Sequence, residues 1–595
     1  MRHSKTAEAR RIVSVYPTQA QRHSFACGNG GCPPTNGVTD APWLTEEGME
    51  TTVIQHVLSR LHDIGIRDVF GVAGDFAFPI DDAVSSNRNL RWVGCCNELN
   101  AAYAADGYAR NYGIAALCTT YGVGELSAIC GVAGAYAEHL PVIHLVGMPS
   151  SGVQSQRRLV HHTLGNGEFE LFSRMAEPVV CAQAIMTPEN CVAETERLIA
   201  AALYHRRPVY MAFPTDYATT PVIGNGVSAI THASDPAALQ AAVDAIVSAL
   251  SASKTACILP GIIIARCGLR KEATAVVDAS GLPFATMLMD KCVLDEEHPS
   301  YIGMYDGKLM DEQIRAFVEG CDCVLGIGAM LTDFSSGAFT AQIDRSKSIN
   351  IMHHSVRVGS AVYNNIAMKD VLVALAKKLQ RKQIQAPRVH GLGDPVGKPS
   401  DRITVEYLYP RWQQMLRPGD LLVTETGTSS MGLAFAKMPK GSTFMNQTLW
   451  GAIGWATPAA FGVALAAPGH RTILVTGEGS HQLTAQEVSQ FHRFGLKPII
   501  FVLNNDGYLI ERLLTKDPES YYNDLAQWHY HKLPEALGCD GWFTARVTTC
   551  GELDEAIKTA EARNTGAYIE VVTDKYAASP LADKYHKSIE TLYAA

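Results

Sequence analysis

Thr472-Ile473-Leu474-Val475-Thr476-Gly477-Glu478-Gly479-Ser480, answered by Lys497-Pro498-Ile499-Ile500-Phe501-Val502-Leu503-Asn504-Asn505-Asp506-Gly507-Tyr508, decides the fold of this chain. Ile473-Leu474-Val475 and Ile499 to Leu503 are short apolar runs that read as buried parallel strands. Between them, Leu483 to Phe494 reads as a helix with Ser480 as its N-cap and Gly495 as its stop. The result is a βαβ unit whose polar groups gather at the carboxyl ends of both strands, where open α/β sheets bind ligands. Glu478 offers a carboxylate, Asn505 a carbonyl, and Gly507 lets the backbone come close enough to add a third oxygen. Such hard oxygens, completed by a diphosphate, suit octahedral Mg²⁺, and a neighbouring helix N-terminus favours phosphate.

Working outward, the same alternation recurs twice. Val53 to Ile64 has helical apolar spacing, while Val69-Phe70-Gly71-Val72, Val142 to Val146 and Val209 to Phe213 read as strands. After a loose stretch from Thr219 to Asp235, Ala256 to Pro260, Cys323 to Ile327 and Ser348 to Ile351 supply the strands of a second block. Ala386 to Asp401, rich in proline and glycine, is the clearest break. The expectation is an α/β protein of three doubly wound parallel-sheet domains. They span residues 49–225, 235–385 and 403–595, the last ending in a helix, with 386–402 as linker and 1–48 as an N-terminal extension. That extension reads as a flexible tail, an organelle-targeting peptide, or an over-extended start with Met49 as initiator.

Composition narrows the function. At 595 residues, with 47% hydrophobic and 18% charged residues, the chain is an ordinary globular composition too long for one core. A net charge of −9 without a long basic run argues against a nucleic-acid partner. The fifteen cysteines follow no metal or disulfide pattern, which points to buried thiols in a reducing cytoplasm. Trp450 to Gly469 carries no charge, yet its prolines, glycines and alanines suit a tightly packed internal helix better than a membrane span. His353-His354 reads as a loop or interface pair, and His529 with His531 as a solvated turn rather than a zinc pair.

The Gly-acid-Gly and Asn-Asn halves together resemble the thiamine diphosphate signature, with Glu478 standing where that family usually has Asp. Other segments match in the same order: Gly74-Asp75-Phe76, the stretch Asn97-Glu98 to Arg110, Gly122 to Ser127, and His161-His162-Thr163-Leu164-Gly165-Asn166-Gly167. Glu425 to Ser429, Leu449 to Gly454 and Ile510-Glu511 extend the match. From about Met49 onward the chain resembles the pyruvate and indolepyruvate decarboxylase branch of the thiamine diphosphate enzymes, and the His-His pair is specific to that branch.

The resemblance implies a non-oxidative decarboxylase converting a 2-oxo acid to an aldehyde and CO₂, using thiamine diphosphate and Mg²⁺. It places Glu98 on the aminopyrimidine ring, the Gly451 carbonyl on its amino group, Ile453 between the two rings, and Thr426 and Thr428 in the adjoining loop. Ala452, Gly477, Gly479, Ser480, Tyr508 and Ile510 complete the cofactor contacts, and Glu478, Asn505 and Gly507 hold the metal. Asp75, His161, His162 and Glu511 form the titratable ring over the reacting carbon. Asp75 and His162 position the substrate and serve product-side proton transfer, His161 orients, Glu511 lies near the departing carboxylate, and Ile510 also meets the substrate. Ser430 and Met431, where relatives often place an aromatic residue, leave room for aromatic or branched-chain 2-oxo acids over pyruvate. Ile262-Ile263-Ile264 stands where yeast-type enzymes carry cysteines linked to substrate activation, so no activation by that route is expected. The site is shared between subunits, which implies a homodimer or homotetramer. A thiamine diphosphate carboligase and a non-catalytic, cofactor-binding paralogue are the alternatives. A nicotinamide dehydrogenase fits poorly, because Gly122-Val123-Gly124 lacks a third glycine at the fingerprint position.

Overall fold

The computed structural model describes residues 51–224, 229–389 and 391–587; the expectations for residues 1–48 lie outside them. Among the described residues, nineteen strands form three sheets. The first contains β1 (Asp68–Gly71), β2 (Arg91–Gly94), β3 (Ala115–Thr119), β4 (Val142–Met148), β5 (Ala182–Ile185) and β6 (Val209–Pro214), in the order β2-β1-β3-β4-β6-β5. The second contains β7 (Ala256–Pro260), β8 (Phe284–Thr286), β9 (Tyr301–Met304), β10 (Cys323–Ile327), β11 (Ser348–Ile351), β12 (Ser355–Val358) and β13 (Ala361–Asn364). Their order is β13-β12-β11-β10-β7-β8-β9. The third contains β14 (Leu421–Thr424), β15 (Thr443–Met445), β16 (Thr472–Gly477), β17 (Ile499–Asn504), β18 (Phe543–Val547) and β19 (Ala567–Val572), ordered β15-β14-β16-β17-β19-β18.

The first and third sheets are parallel throughout. The middle one departs from the all-parallel expectation: β12 and β13 run antiparallel at its edge, joined through Gly359-Ser360. That connection needs only a short turn, whereas each parallel crossover needs a longer excursion.

In the third sheet, alternate residues serve opposite cores. Leu474, Ile500 and Val502 join one apolar cluster, and Ile473, Val475, Ile499 and Phe501 the other. This is why these strands read as unbroken apolar runs. The first cluster continues into the first sheet through two crossing helices, Glu98–Tyr112 and Ala456–Ala466. Their backbones nearly touch: a Cβ on Gly462 would lie 1.9 Å from the Ala104 carbonyl oxygen, and one on Gly107 2.2 Å from that of Ala459. The uncharged stretch from Trp450 is therefore a close-packed internal helix, and among the described residues no helix is long and apolar enough to cross a membrane.

The helix expected after Ser480 is built differently. It starts at Glu478 straight from β16, with Gly477 at the cap, and runs to Thr484. A 3₁₀ turn at Ala485–Glu487 follows, and a helix resumes over Val488–Arg493, so Ser480 lies inside the first turn and caps nothing. Tertiary bonds explain the break. Thr484 Oγ1 donates to the Gly454 carbonyl at 2.7 Å. The buried Glu487 carboxylate accepts from the Asn100 side chain at 2.8 Å and the Cys96 N–H at 3.1 Å. Gly495, at φ +68°, does end the element.

Candidate active site

The carboxyl ends of β14, β16 and β17 open into a cavity of about 310 Å³. Twelve of the expected residues line it: Thr426, Thr428, Ile453, Gly477, Glu478, Gly479, Ser480, Asn505, Gly507, Tyr508, Ile510 and Glu511. Gly427, Ser429, Leu503, Leu509, Tyr522 and Asn523 complete the wall.

At the polar end, the buried Glu478 Oε1 accepts the N–H groups of Asn505 at 3.0 Å and Gly507 at 2.9 Å. Burial nevertheless raises its pKa to about 7, because desolvation penalises the charged form more than these N–H groups favour it. The Asn505 side-chain oxygen faces only other oxygens, Glu478 Oε1 at 3.2 Å and the Gly507 carbonyl at 2.8 Å. Turning the amide over makes both contacts hydrogen bonds; the Glu478 carboxylate, the Asn505 amide and the Gly507 carbonyl are the hard oxygen groups at this end of the cavity that could hold a cation. Gly507, at φ +140°, makes this possible, since a Cβ there would meet Arg512 Nη2 and the Asn523 carbonyl at 2.4 Å. Arg512, itself buried, donates to the carbonyls of Asn505 at 3.2 Å and of Asp506, which fixes the turn from behind.

Beneath the cavity lies Glu425, fully buried. It accepts from the N–H groups of Thr426 at 3.0 Å, Gly454 at 3.2 Å and Ala456 at 3.3 Å. Burial raises its pKa to about 7 as well. Glu425 and Arg512 were not among the expected site residues; each shapes the cavity from outside it.

Ser430 and Met431 do not line the cavity. Ser430 Oγ donates to the Gly427 carbonyl at 3.0 Å, and Met431 is buried in an apolar cluster with Leu581, Ala582 and Tyr585 of the helix Pro580–Lys587. Gly451 and Ala452 sit in the loop leading to Ile453, with their N–H groups bonded to the Gln447 carbonyl at 3.1 Å and to Gln447 Oε1 at 3.0 Å.

Asp75, His161, His162 and Glu98 lie on the first sheet's side and outside the cavity. His161 Nε2 is 2.6 Å from Asp75 Oδ2, and His162 Nδ1 is 3.9 Å from Asp75 Oδ1. Phe76 stacks on the His161 ring at 4.8 Å between centroids. Burial pushes the Asp75 pKa up, but the His161 hydrogen bond and charge, the Phe76 N–H and the His162 charge outweigh it, so the carboxyl titrates below its usual range. His162 Nδ1 is buried and has no hydrogen-bond partner among the described residues. Glu98 opens the helix Glu98–Tyr112, which is capped by the Asn97 side chain on the Asn100 N–H at 2.8 Å. Among the described residues no hydrogen bond or ion pair joins these four residues to the Glu478 cavity of the same chain.

His354 stacks on Tyr204 at 3.6 Å between centroids, so that pair is an interface feature. His531 Nδ1 pairs with Glu570 at 2.7 Å.

Residues 51–169 match the thiamine pyrophosphate enzyme N-terminal TPP binding domain, 243–379 its central domain, and 425–571 its C-terminal TPP binding domain. An alpha-keto-acid decarboxylase of Mycobacterium leprae is 38% identical over 536 residues, covering 88% of this chain and 93% of the relative. This chain belongs to the thiamine diphosphate-dependent 2-oxo acid decarboxylase family. An alpha-keto-acid decarboxylase of Mycobacterium ulcerans is similarly close, at 37% identity over 90% of this chain and 95% of its own length. An X-ray structure from Mycobacterium smegmatis, provisionally assigned as a thiamin diphosphate-dependent enzyme, superposes with a TM-score of 0.70. It covers 88% of this chain and 99% of its own at 20% identity, a likeness that carries the fold.

Proposed function

We propose that this family member removes CO₂ from aromatic or branched-chain 2-oxo acids and releases the aldehyde, with Mg²⁺ anchoring thiamine diphosphate. The observation that carries the reading is a cavity at the carboxyl ends of β14, β16 and β17 that brings Glu478, Asn505 and Gly507 together and has Glu511 in its wall. When bound, thiamine diphosphate supplies the electron sink for the carbanion left by CO₂ loss. Glu478, Asn505 and Gly507 hold the cation, and Gly477, Gly479, Ser480 and Tyr508 surround the diphosphate. Thr426, Thr428, Gly451, Ala452, Ile453 and Ile510 shape the ring end. Ser430 and Met431 stay out of the cavity, so no large side chain from those positions crowds a bulky substrate.

The proton work falls to the other cluster. With Asp75 held ionised, His161 Nε2–H donates to it, which orients that ring and makes His161 a positioning residue. His162, whose side chain stays 29% exposed beside Asp75, is the group left to move a proton at the departing aldehyde. Because Asp75, His161, His162 and Glu98 stand apart from the cavity of their own chain, they serve the cavity of a second copy, with Glu98 on the cofactor ring. Leu449, Trp450, Ile453 and Leu483 expose apolar surface near that cavity, as an interface between copies requires. The thirteen described cysteines are all free, which supports a reducing, cytoplasmic setting.

The test is aldehyde formation from pyruvate, 2-oxoisovalerate, phenylpyruvate and indolepyruvate, with and without thiamine diphosphate and Mg²⁺. Cofactor-dependent aldehyde, with kcat/KM highest for the larger acids, is the expected result. Bound cofactor without aldehyde would overturn the decarboxylase reading in favour of carboligation or a regulatory role.

A further inference from the structure

The loop carrying Gly451, Ala452 and Ile453 runs from Asn446 to Trp455, between β15 and the helix Ala456–Ala466. Several of its fixings come from outside the third sheet. Glu138 caps the helix Val123–Ala137 of the first sheet and is fully buried. Its Oε1 accepts the N–H of Leu449 at 2.8 Å and of Trp450 at 3.3 Å. Its Oε2 faces Arg110 Nη1 at 3.3 Å and Arg266 Nη2 at 3.7 Å. Arg266 belongs to the middle block and also donates its Nε–H to the Glu138 carbonyl at 2.9 Å.

Arg110 extends the same network. It pairs with Asp106 at 2.7 Å, donates to the Asn446 carbonyl at 3.0 Å, and lies 4.5 Å from the centre of the Trp455 ring. Trp455 Nε1 in turn donates to Asp106 at 2.8 Å. The loop is thus held at both ends by one buried chain of alternating charges. Such a chain is a weak source of stability but a strong constraint on geometry, since each charge must keep its partners to remain buried.

The geometry has a consequence at Gly451. Ala452 N–H is directed at Gln447 Oε1, and in a trans peptide the preceding carbonyl must point the opposite way. With the Leu449 and Trp450 amides tied to Glu138, the Gly451 carbonyl has its direction set from both sides. We propose that Glu138 is a positioning residue for catalysis, which aims the Gly451–Ile453 loop at the cofactor ring from the first sheet. This rests on the reading above that residues 451–453 meet the aminopyrimidine end.

The experiment compares wild type, Arg266→Met, Glu138→Leu and the double variant Glu138→Leu/Arg266→Met, because leucine offers the Leu449 and Trp450 amides no acceptor. The double variant removes one acid and one base, so the Arg110–Asp106 pair stays balanced and folding is protected if the single Glu138 variant fails. Hydrogen exchange in the protein without added cofactor should quicken at the Leu449 and Trp450 amides, by about tenfold or more, only where Glu138 is changed. In turnover, kcat should fall roughly tenfold to a hundredfold, the scale of a sub-ångström to 1 Å misplacement, with substrate KM within about twofold. Unchanged exchange at these amides, or an unchanged kcat beside quickened exchange, overturns the proposal. Failure of the proposed function looks different: wild type would show no cofactor-dependent turnover, and the exchange data would still decide whether Glu138 holds the loop.

Discussion

Glu478 Oε1 reaches the Gly507 N–H at 2.9 Å, so the carboxylate that is to hold a cation also pins the turn that supplies its other oxygens. An aspartate on the same backbone is one methylene shorter and cannot reach both this N–H and that of Asn505. Glu478→Asp is therefore expected to leave buried N–H groups unpaired, at a cost of about 1–3 kcal/mol, and to raise the Mg²⁺ concentration needed for half-maximal activity. Glu478→Gln keeps an acceptor oxygen for the turn but loses the charge. Its melting temperature should match or exceed that of wild type, while cation affinity falls about tenfold or more. Calorimetry beside Mg²⁺ titration separates the two effects; equal Mg²⁺ dependence in all three proteins would remove Glu478 from the metal site.

Glu425 yields a pH prediction. Its folded-state pKa is raised from 4.5 to about 7 by burial, so the folded protein holds this proton more tightly than the unfolded chain. The resulting stability is fully present below about pH 4.5 and is lost as pH rises through 7. The loss amounts to roughly 3 kcal/mol by pH 8. In Glu425→Gln this component of the decline should vanish, so the difference in unfolding free energy between variant and wild type, followed by denaturant titration from pH 5 to 8, should change in the variant's favour. A pH-independent difference would show that Glu425 is already ionised at pH 5.

How far the residues announce this arrangement depends on how local its causes are. The strands around Ile473–Val475 and Ile499–Leu503 are legible because a sheet covered on both faces demands unbroken apolar runs, and Gly495 is legible because its φ of +68° suits glycine. The hairpin of β12 and β13 is missed under the expectation of an all-parallel sheet, although Gly359-Ser360 is a turn signal of the kind that joins antiparallel strands. The 3₁₀ break at Ala485–Glu487 is not legible, because it follows from bonds to Asn100, Cys96 and Gly454, remote in sequence. The same holds for Arg512, whose function depends on the carbonyls of Asn505 and Asp506, and for Tyr522 and Asn523, which reach the cavity from the short 3₁₀ turn Tyr521–Asn523. Motif matching located Met431 beside the cavity in sequence, but its side chain turns into the cluster around Tyr585.

The Asp75–His161–His162 cluster should separate chemistry from stability. Asp75 and His161 keep 42% and 56% of their side-chain surface exposed, so Asp75→Asn should change unfolding free energy by no more than about 0.5 kcal/mol. Its kcat should fall by roughly 10²–10⁴, the usual contribution of a positioned acid or base. His162→Gln should match that loss, whereas His161→Gln, which removes only an orienting partner, should lose less. If His161→Gln proves the more damaging, the two imidazoles have exchanged roles.

The separation of Glu98 from the Glu478 cavity within one chain gives the sharpest test of a shared site. If each site takes Glu98 from one copy and Glu478 from another, then Glu98→Gln protein, and Glu478→Gln protein assayed at a Mg²⁺ concentration too low for it but sufficient for wild type, are each inactive for different reasons. Co-expressing them produces mixed dimers in which one site carries both changes and the other carries neither. With random pairing, half of the dimers are mixed and each has one intact site, so about a quarter of wild-type activity should return. The recovery must vanish when the two variants are purified apart and combined without exchange of subunits. A site complete within one chain predicts no recovery at any ratio, because every chain in the mixture lacks one of the two carboxylates.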